Sequence, residues 1–240
     1  MNLEELLKKD ELSIDEINRL LSLINAERKD DDKRIELYNH ALFKAKKFDI
    51  QFLHGIYKNI EGYDLPEEEK RLLQNTLTSY MSEKEDMSEF DVQQMLAFIV
   101  TERKDDDKRI ELFNHALYEA KKFDIQFLHG IYKNIEGYDL PEEEKRLLQN
   151  TLTSYMSEKE DMSEFDVKQM LAFIVTERKD DTEKAKLYNR VLFEASKHGA
   201  EMLNKVKSTI ISASLSGEED AFVNGEQKNH TNYGSASKHI

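Results

Sequence analysis

Residues Arg103 to Glu177 repeat Arg28 to Glu102 almost letter for letter, at an offset of 75 residues. The copies differ at four positions: Tyr38/Phe113, Phe43/Tyr118, Lys44/Glu119 and Gln93/Lys168. A long fixed period in helix-forming sequence constrains the fold strongly. One unit cannot bury its own apolar face, so its neighbour must. The period runs on at both ends. Ser13 to Glu16 falls on Ser88 to Asp91, and Leu20, Leu21, Ile24 and Glu27 fall on Met95, Leu96, Ile99 and Glu102. Residues 178–197 align with 103–122, and Ala200, Leu203, Val206 and Ile210 then fall on Ile125, Leu128, Ile131 and Ile135. The chain reads as an N-terminal partial repeat (1–27), two full repeats (28–102 and 103–177), a C-terminal partial repeat (178–215) and a tail (216–240).

Each full copy reads as four helices. Asp30-Asp31-Asp32 supplies an N-cap and dipole-favouring charge for the first, whose stripe is Ile35, Tyr38, Leu42 and Ala45. Asp49 caps the second, with Leu53, Ile56, Tyr57 and Ile60 on its apolar side. Gly62 follows as a left-handed stop, and Asp64-Leu65-Pro66-Glu67 restarts the chain with a capping box and Pro in the first turn. The third helix carries Leu73, Thr76, Leu77 and Tyr80. Ser88 and Asp91 form another capping box before Val92, Met95, Leu96 and Ile99. No stretch alternates with period two, so the expected class is all-α.

A weaker echo lies inside each copy, where FDVQQMLAFI (90–99) resembles FDIQFLHGIY (123–132). Each enters a helix followed by a charged connection and another helix, which suggests a helical hairpin as the older unit. Partial units at both ends suit an open stack better than two closed bundles, and no Gly/Ser/Pro-rich linker separates the copies. The expected architecture is an open α-solenoid of antiparallel helical hairpins. In unit length the hairpins resemble tetratricopeptide-like arrays. The chain departs from that family in lacking its W-x-x-L-G-x-x-Y element and the Pro that ends the second helix, so no residue role carries over.

Composition narrows the function classes. A hydrophobic content of 39% suits a thin stack with much surface. Met1-Asn-Leu-Glu-Glu-Leu-Leu-Lys-Lys has neither the basic start nor the apolar run of a signal peptide. No segment approaches the ~18 apolar residues of a membrane span. The absence of cysteine excludes disulfides, thiolate chemistry and cysteine metal sites, and fits a reducing cytoplasm. A formal net charge of −14, spread over every unit, repels nucleic acid and anionic membranes and steers in a basic protein partner.

From Ser216 the chain turns polar, carries three of the eight glycines and loses its apolar period, as a disordered tail does. With Glu218, Glu219, Glu226 and small polar residues, it resembles the C-terminal tails of effectors that bacteria export through type IV secretion systems. That resemblance implies delivery into a host cell without a cleaved signal peptide, and an engagement with a host protein there. An ordinary frayed terminus has the same composition.

No catalytic constellation is present: neither G-x-S-x-G, nor a Gly-rich phosphate loop, nor H-E-x-x-H. A calcium loop begun at Asp30 would need Gly and Glu where Ile35 and Ala41 stand. Glu67-Glu68-Glu69 and Glu142-Glu143-Glu144 suit first helical turns. His40 and His54, with their copies His115 and His129, read as surface histidines without the further ligands a metal needs. Gly55 and Gly130 interrupt helices, for which close helix contact is the natural cause. No metal, cofactor or enzymatic activity is expected.

The functional expectation rests on a ladder. At 100° per residue, His40, Phe43 and Lys47 lie almost opposite the core stripe of their helix, with Asn39 at the edge. The next copy presents Asn114, His115, Tyr118 and Lys122, and the last Asn189, Arg190, Phe193 and Lys197. An aromatic flanked by an amide and a cation suits gripping a peptide or helix. Packing of the aromatics against the next hairpin is the competing account. The expectation is a non-enzymatic scaffold that binds a protein or peptide partner along this repeated surface.

Overall fold

Start-of-helix chemistry sets the element boundaries. The computed structural model describes residues 1–27, 33–102, 109–177 and 181–214. Among them the chain is all-helical, with twelve helices and no strand. These are α1 (Leu3–Leu7), α2 (Ile14–Glu27), α3 (Arg34–Ala45), α4 (Ile50–Glu61), α5 (Glu67–Ser82), α6 (Glu89–Glu102), α7 (Arg109–Ala120), α8 (Ile125–Glu136), α9 (Glu142–Glu158), α10 (Glu164–Glu177), α11 (Asp181–Lys197) and α12 (200–214). No helix among the described residues is long and apolar enough to cross a membrane. The aspartate runs at 30–32 and 105–107 and the polar tail lie outside the described residues.

The described chain divides into two compact units. One comprises Met1–Phe123 and Lys133–Thr151; the other comprises Asp124–Tyr132 and the described residues from Leu152 onward. In the first unit α2 packs on α3, α4 on α5 and α6 on α7, while α3 meets α5, α5 meets α7 and α4 meets α6. Odd and even helices thus form two rows. Arg34 Nη2 lies 2.8 Å from Glu69 Oε2 at the starts of α3 and α5, and Lys46 Nζ lies 2.7 Å from Glu83 Oε2 at their ends, so these two helices run parallel. In the second unit α10 packs on α11.

The apolar stripes account for the core. Ile17, Leu20, Leu21 and Ile24 are buried on α2, Tyr38, Leu42 and Ala45 on α3, and Leu53, Ile56, Tyr57 and Ile60 on α4. Val92, Met95, Leu96 and Ile99 are buried on α6, joined by Phe98. Phe98 meets His54 and Tyr57 edge-on, with ring centroids 5.2 and 5.1 Å away. On α5 the expected stripe is displaced: Leu73 and Leu77 are buried with Thr78 and Met81, not with Thr76 and Tyr80. Thr76 turns its hydroxyl onto the Leu72 carbonyl, and the Tyr80 ring stays half-buried under the Lys46 ammonium.

Three local expectations are corrected. Gly62 ends α4 in the right-handed region (φ −81°, ψ −4°), so it is not a left-handed stop. Pro66 itself takes the N-cap position of α5, with no side-chain cap bond, so the Asp64–Glu67 box does not form; Glu67, Glu68 and Glu69 do occupy the first turn. Gly55 and Gly130 are not sites of close helix contact, because a Cβ built on either meets nothing within 4 Å. Gly55 instead floors a hollow lined by Ile14, Asn18, Phe52 and Asn59.

Other caps form as expected and also join helices. The Asp49 carboxylate accepts from the Phe52 amide at 2.8 Å. Asp91 is shared between two helix starts. Its Oδ2 accepts from Ser88 N (3.2 Å) and Ser88 Oγ (2.7 Å) at the head of α6, while its Oδ1 accepts from Ile50 N (3.2 Å) at the head of α4. In the second unit Asp166 does the same for Ser163 and for Ile125 N, the latter at 3.2 Å. Burial by itself would raise these carboxyls. The hydrogen bonds from Ser88 or Ser163 and from the amides outweigh it and hold both below their ordinary value.

A depressed carboxyl contributes stability above its unfolded pKa and loses it as pH falls. Unfolding free energy should therefore drop as acid is added below about pH 4. Asp91→Asn/Asp166→Asn should show a shallower acid limb in urea titrations at several pH values; an unchanged limb refutes the shared-carboxylate account. Gly55→Ala should raise stability by about 1 kcal/mol, because the helix gains a better former and the methyl meets open space. Destabilisation in the same urea assay would show that the position is crowded.

Candidate functional site

The ladder residues fall on α3, α7 and α11, and the structure separates the rings from their flanks. Phe43 and Tyr118 are each 66% exposed and Phe193 is 57% exposed, so none of the three packs into the core. His40, Lys47, Asn114, Lys122, Asn189 and Lys197 are also exposed, while Asn39, His115 and Arg190 are half-buried.

Flanking polar groups hold the loop that precedes each of these helices' hairpins. On α7, His115 Nε2 lies 3.1 Å from the Lys84 carbonyl oxygen; a carbonyl only accepts, so Nε2 carries the hydrogen. In the same register on α11, Arg190 Nη2 donates to the Lys159 carbonyl at 2.7 Å. On α3 the work falls to Lys44, which donates to the carbonyls of Lys9 (2.6 Å) and Asp10 (3.2 Å). Each loop plugs one apolar side chain into the core: Leu12, Met87 and Met162 are all buried. Asp86 (φ 53°) and Asp161 (φ 48°) hold the loop tips in the left-handed region, which Asp tolerates better than most side chains.

The lysines reach those tips. Lys47 Nζ lies 3.7 Å from Glu11, Lys122 Nζ 4.0 Å from Asp86 and Lys197 Nζ 3.7 Å from Asp161. Where each ammonium rests relative to the aromatics differs. Lys197 lies over the Phe193 ring at 5.0 Å from its centroid, with the Arg190 guanidinium at 5.8 Å. Lys47 and Lys122 instead lie over Phe48 (5.3 Å) and Phe123 (5.5 Å). The third ring is therefore covered by the chain's own cations, and the first two are not.

Position 44, 119 or 194 also belongs to this joint, though the ladder reading passed over it. Glu119 Oε2 accepts from the Met87 amide at 3.1 Å, where Lys44 donates to carbonyls. Glu194 is fully buried and its charge is matched by Arg190 (3.0 Å) and Lys197 (2.9 Å). The signal was in the sequence, since Lys44/Glu119 is one of four differences between the copies and reverses charge.

Of the four histidines read as surface residues, His40 is exposed and His54, His115 and His129 are half-buried. His54 is a half-buried joint residue, not a surface one: its Nε2 lies 3.2 Å from Glu102 Oε1. Burial raises the Glu102 carboxyl, but His54, Thr101 and Lys58 together hold it below its ordinary value. His129 and Glu177 form the corresponding contact at 3.4 Å in the second unit. Among the described residues no group of three His, Asp or Glu is placed to hold a metal ion.

No protein-family model, curated protein or solved structure matches this chain.

With both rings this exposed, Phe43→Ala/Tyr118→Ala should change unfolding free energy by no more than about 0.5 kcal/mol per site. Chemical denaturation followed by circular dichroism measures this. A loss of about 3 kcal/mol or more, the range for a buried Phe, would return the rings to the core.

Proposed function

We propose that this chain is a non-enzymatic helical-repeat scaffold that binds a protein or peptide partner along α3, α7 and α11. The observation that carries the reading is that three register-equivalent aromatics stay exposed while the polar groups beside them are taken up in holding the preceding loops. Rings left this exposed add little to the core, and aromatics dominate the energetics of binding surfaces.

The same reading takes the architecture to be an open α-solenoid of hairpins. Two rows of helices within the first unit, each hairpin meeting the next, support it. So do contacts that recur at the repeat offset: Arg34–Glu69 with Arg109–Glu144, and Ile50–Asp91 with Ile125–Asp166. In such an array equivalent side chains recur along one surface, which suits an extended partner.

An affinity pull-down from cell lysate with quantitative mass spectrometry tests the reading, with wild type set against Phe43→Ala/Tyr118→Ala/Phe193→Ala. A partner retained by wild type and lost by a triple variant of unchanged circular dichroism supports the scaffold and locates its face. Equal retention by a folded variant refutes this face as the binding surface.

A further inference from the structure

We propose that Phe43 and Tyr118, each one helical turn from a lysine that reaches an acidic loop tip, receive lysine or arginine side chains of a basic partner segment. The inference rests on the scaffold reading above and narrows it to the chemistry of the partner.

The chain itself shows what such a site accepts. At α11 the ammonium of Lys197 sits 5.0 Å from the centroid of Phe193 and 3.7 Å from the Asp161 carboxylate. Ring quadrupole and carboxylate both attract a cation there, and buried Glu194 holds the same ammonium at 2.9 Å; its counterparts are Glu119 on α7 and Lys44 on α3. On α3 and α7 the equivalent lysine keeps the loop-tip acid but rests over Phe48 or Phe123 and not over Phe43 or Tyr118, which stay exposed. The acids have room for a second cation. The side chains of Glu11 and Asp86 are 88% and 104% exposed, and their lysines stand off at 3.7 and 4.0 Å, so each carboxylate retains acceptor capacity.

The surroundings argue against an apolar occupant. Glu36, His40 and Lys47 on α3, and Glu111, Asn114 and Lys122 on α7, are exposed neighbours along the same helix faces, so each ring stands alone in a polar field. One ring is far smaller than the patch of a few hundred Å² that marks an apolar docking site. A net charge of −14 draws in a cationic segment from a distance.

Spacing sets the length of that segment. α3 and α7 both pack on α5, and at ~8–10 Å between helix axes the two rings stand roughly 20 Å apart. An extended basic stretch of about six residues spans that interval, at ~3.3 Å per residue.

The test uses the full chain with ¹³C-labelled Phe and Tyr, titrated at physiological salt with octalysine and, in parallel, with octalysine acetylated on every Nζ. Octalysine should shift the Phe43 and Tyr118 ring resonances, and the acetylated peptide should not. Phe43→Ala/Tyr118→Ala should weaken octalysine binding by about tenfold or more, equivalent to ~1.4 kcal/mol for the two rings. Glu11→Gln/Asp86→Asn should weaken it in the same direction with both rings in place. Octalysine binding unchanged by ring removal would be diffuse attraction to an acidic surface and overturns the proposal, as does equal binding of the acetylated peptide. Suppose a lysate partner depends on the rings while octalysine neither shifts them nor competes with it. The scaffold reading then survives and the cationic partner falls. If neither ligand depends on the rings, both fall.

Discussion

A carboxylate shared between two helix starts is the contact on which the packing of this chain turns. The first amides of any α-helix lack partners within the helix, and a buried start must find acceptors elsewhere. Asp91 answers for two helices at once, capping α6 with one oxygen and taking the Ile50 amide of α4 with the other. That geometry fixes the height of α4 against α6, and the rest of their contact follows from it. Phe98 arrives against His54 and Tyr57, and Glu102 against the His54 ring. Asp166 repeats the arrangement with Ile125, Phe173 and His129. At the N-terminal end Glu16 stands in the equivalent register. It keeps the capping role towards Ser13 and turns its carboxylate to Lys9 instead of to another helix.

The same economy separates structural from available groups on the outer row. Lys44, His115 and Arg190 point at loop carbonyls, and Lys47, Lys122 and Lys197 at loop-tip acids. What these commitments leave is the aromatic between them. The helical period sets position 43 off the stripe, of which Tyr38, Leu42 and Ala45 are buried and Ile35 half-buried, and the ring itself stays exposed.

Much of this was legible in the residues. Apolar period gave the buried face of α2, α3, α4 and α6, and the Ser/Asp spacing gave the cap of α6, because both are local consequences of helix geometry. Failures came where a local rule meets a tertiary choice. The Asp64 box did not close because Pro66 sits one position earlier, at the cap itself. Thr76 gave up its expected place in the core to Thr78 although both hydroxyls bond their own helix's carbonyls, so side-chain chemistry alone does not choose between them. Gly55 was read as a packing device, yet space over a glycine is not written in its neighbours. The ring exposure at Phe43, Tyr118 and Phe193 was open in the sequence between two accounts, since angular position alone does not say whether another hairpin covers a face. The roles of Lys44 and Glu119 needed the loop in place before charge reversal could be seen as a swap of donor for acceptor.

That swap bears on how two nearly identical copies avoid mistaking each other during folding. Seventy-one of 75 positions offer no means of telling one copy from the other, which invites exchange of a helix between equivalent slots. If α7 docked on the first loop, Glu119 would set its carboxylate against the Lys9 and Asp10 carbonyls that Lys44 now satisfies. Acceptor would face acceptor at an exposed joint, where water meets the carbonyls and lessens the cost. The charge reversal thus changes what the two copies ask of their loops: Lys44 takes carbonyls and Glu119 takes an amide.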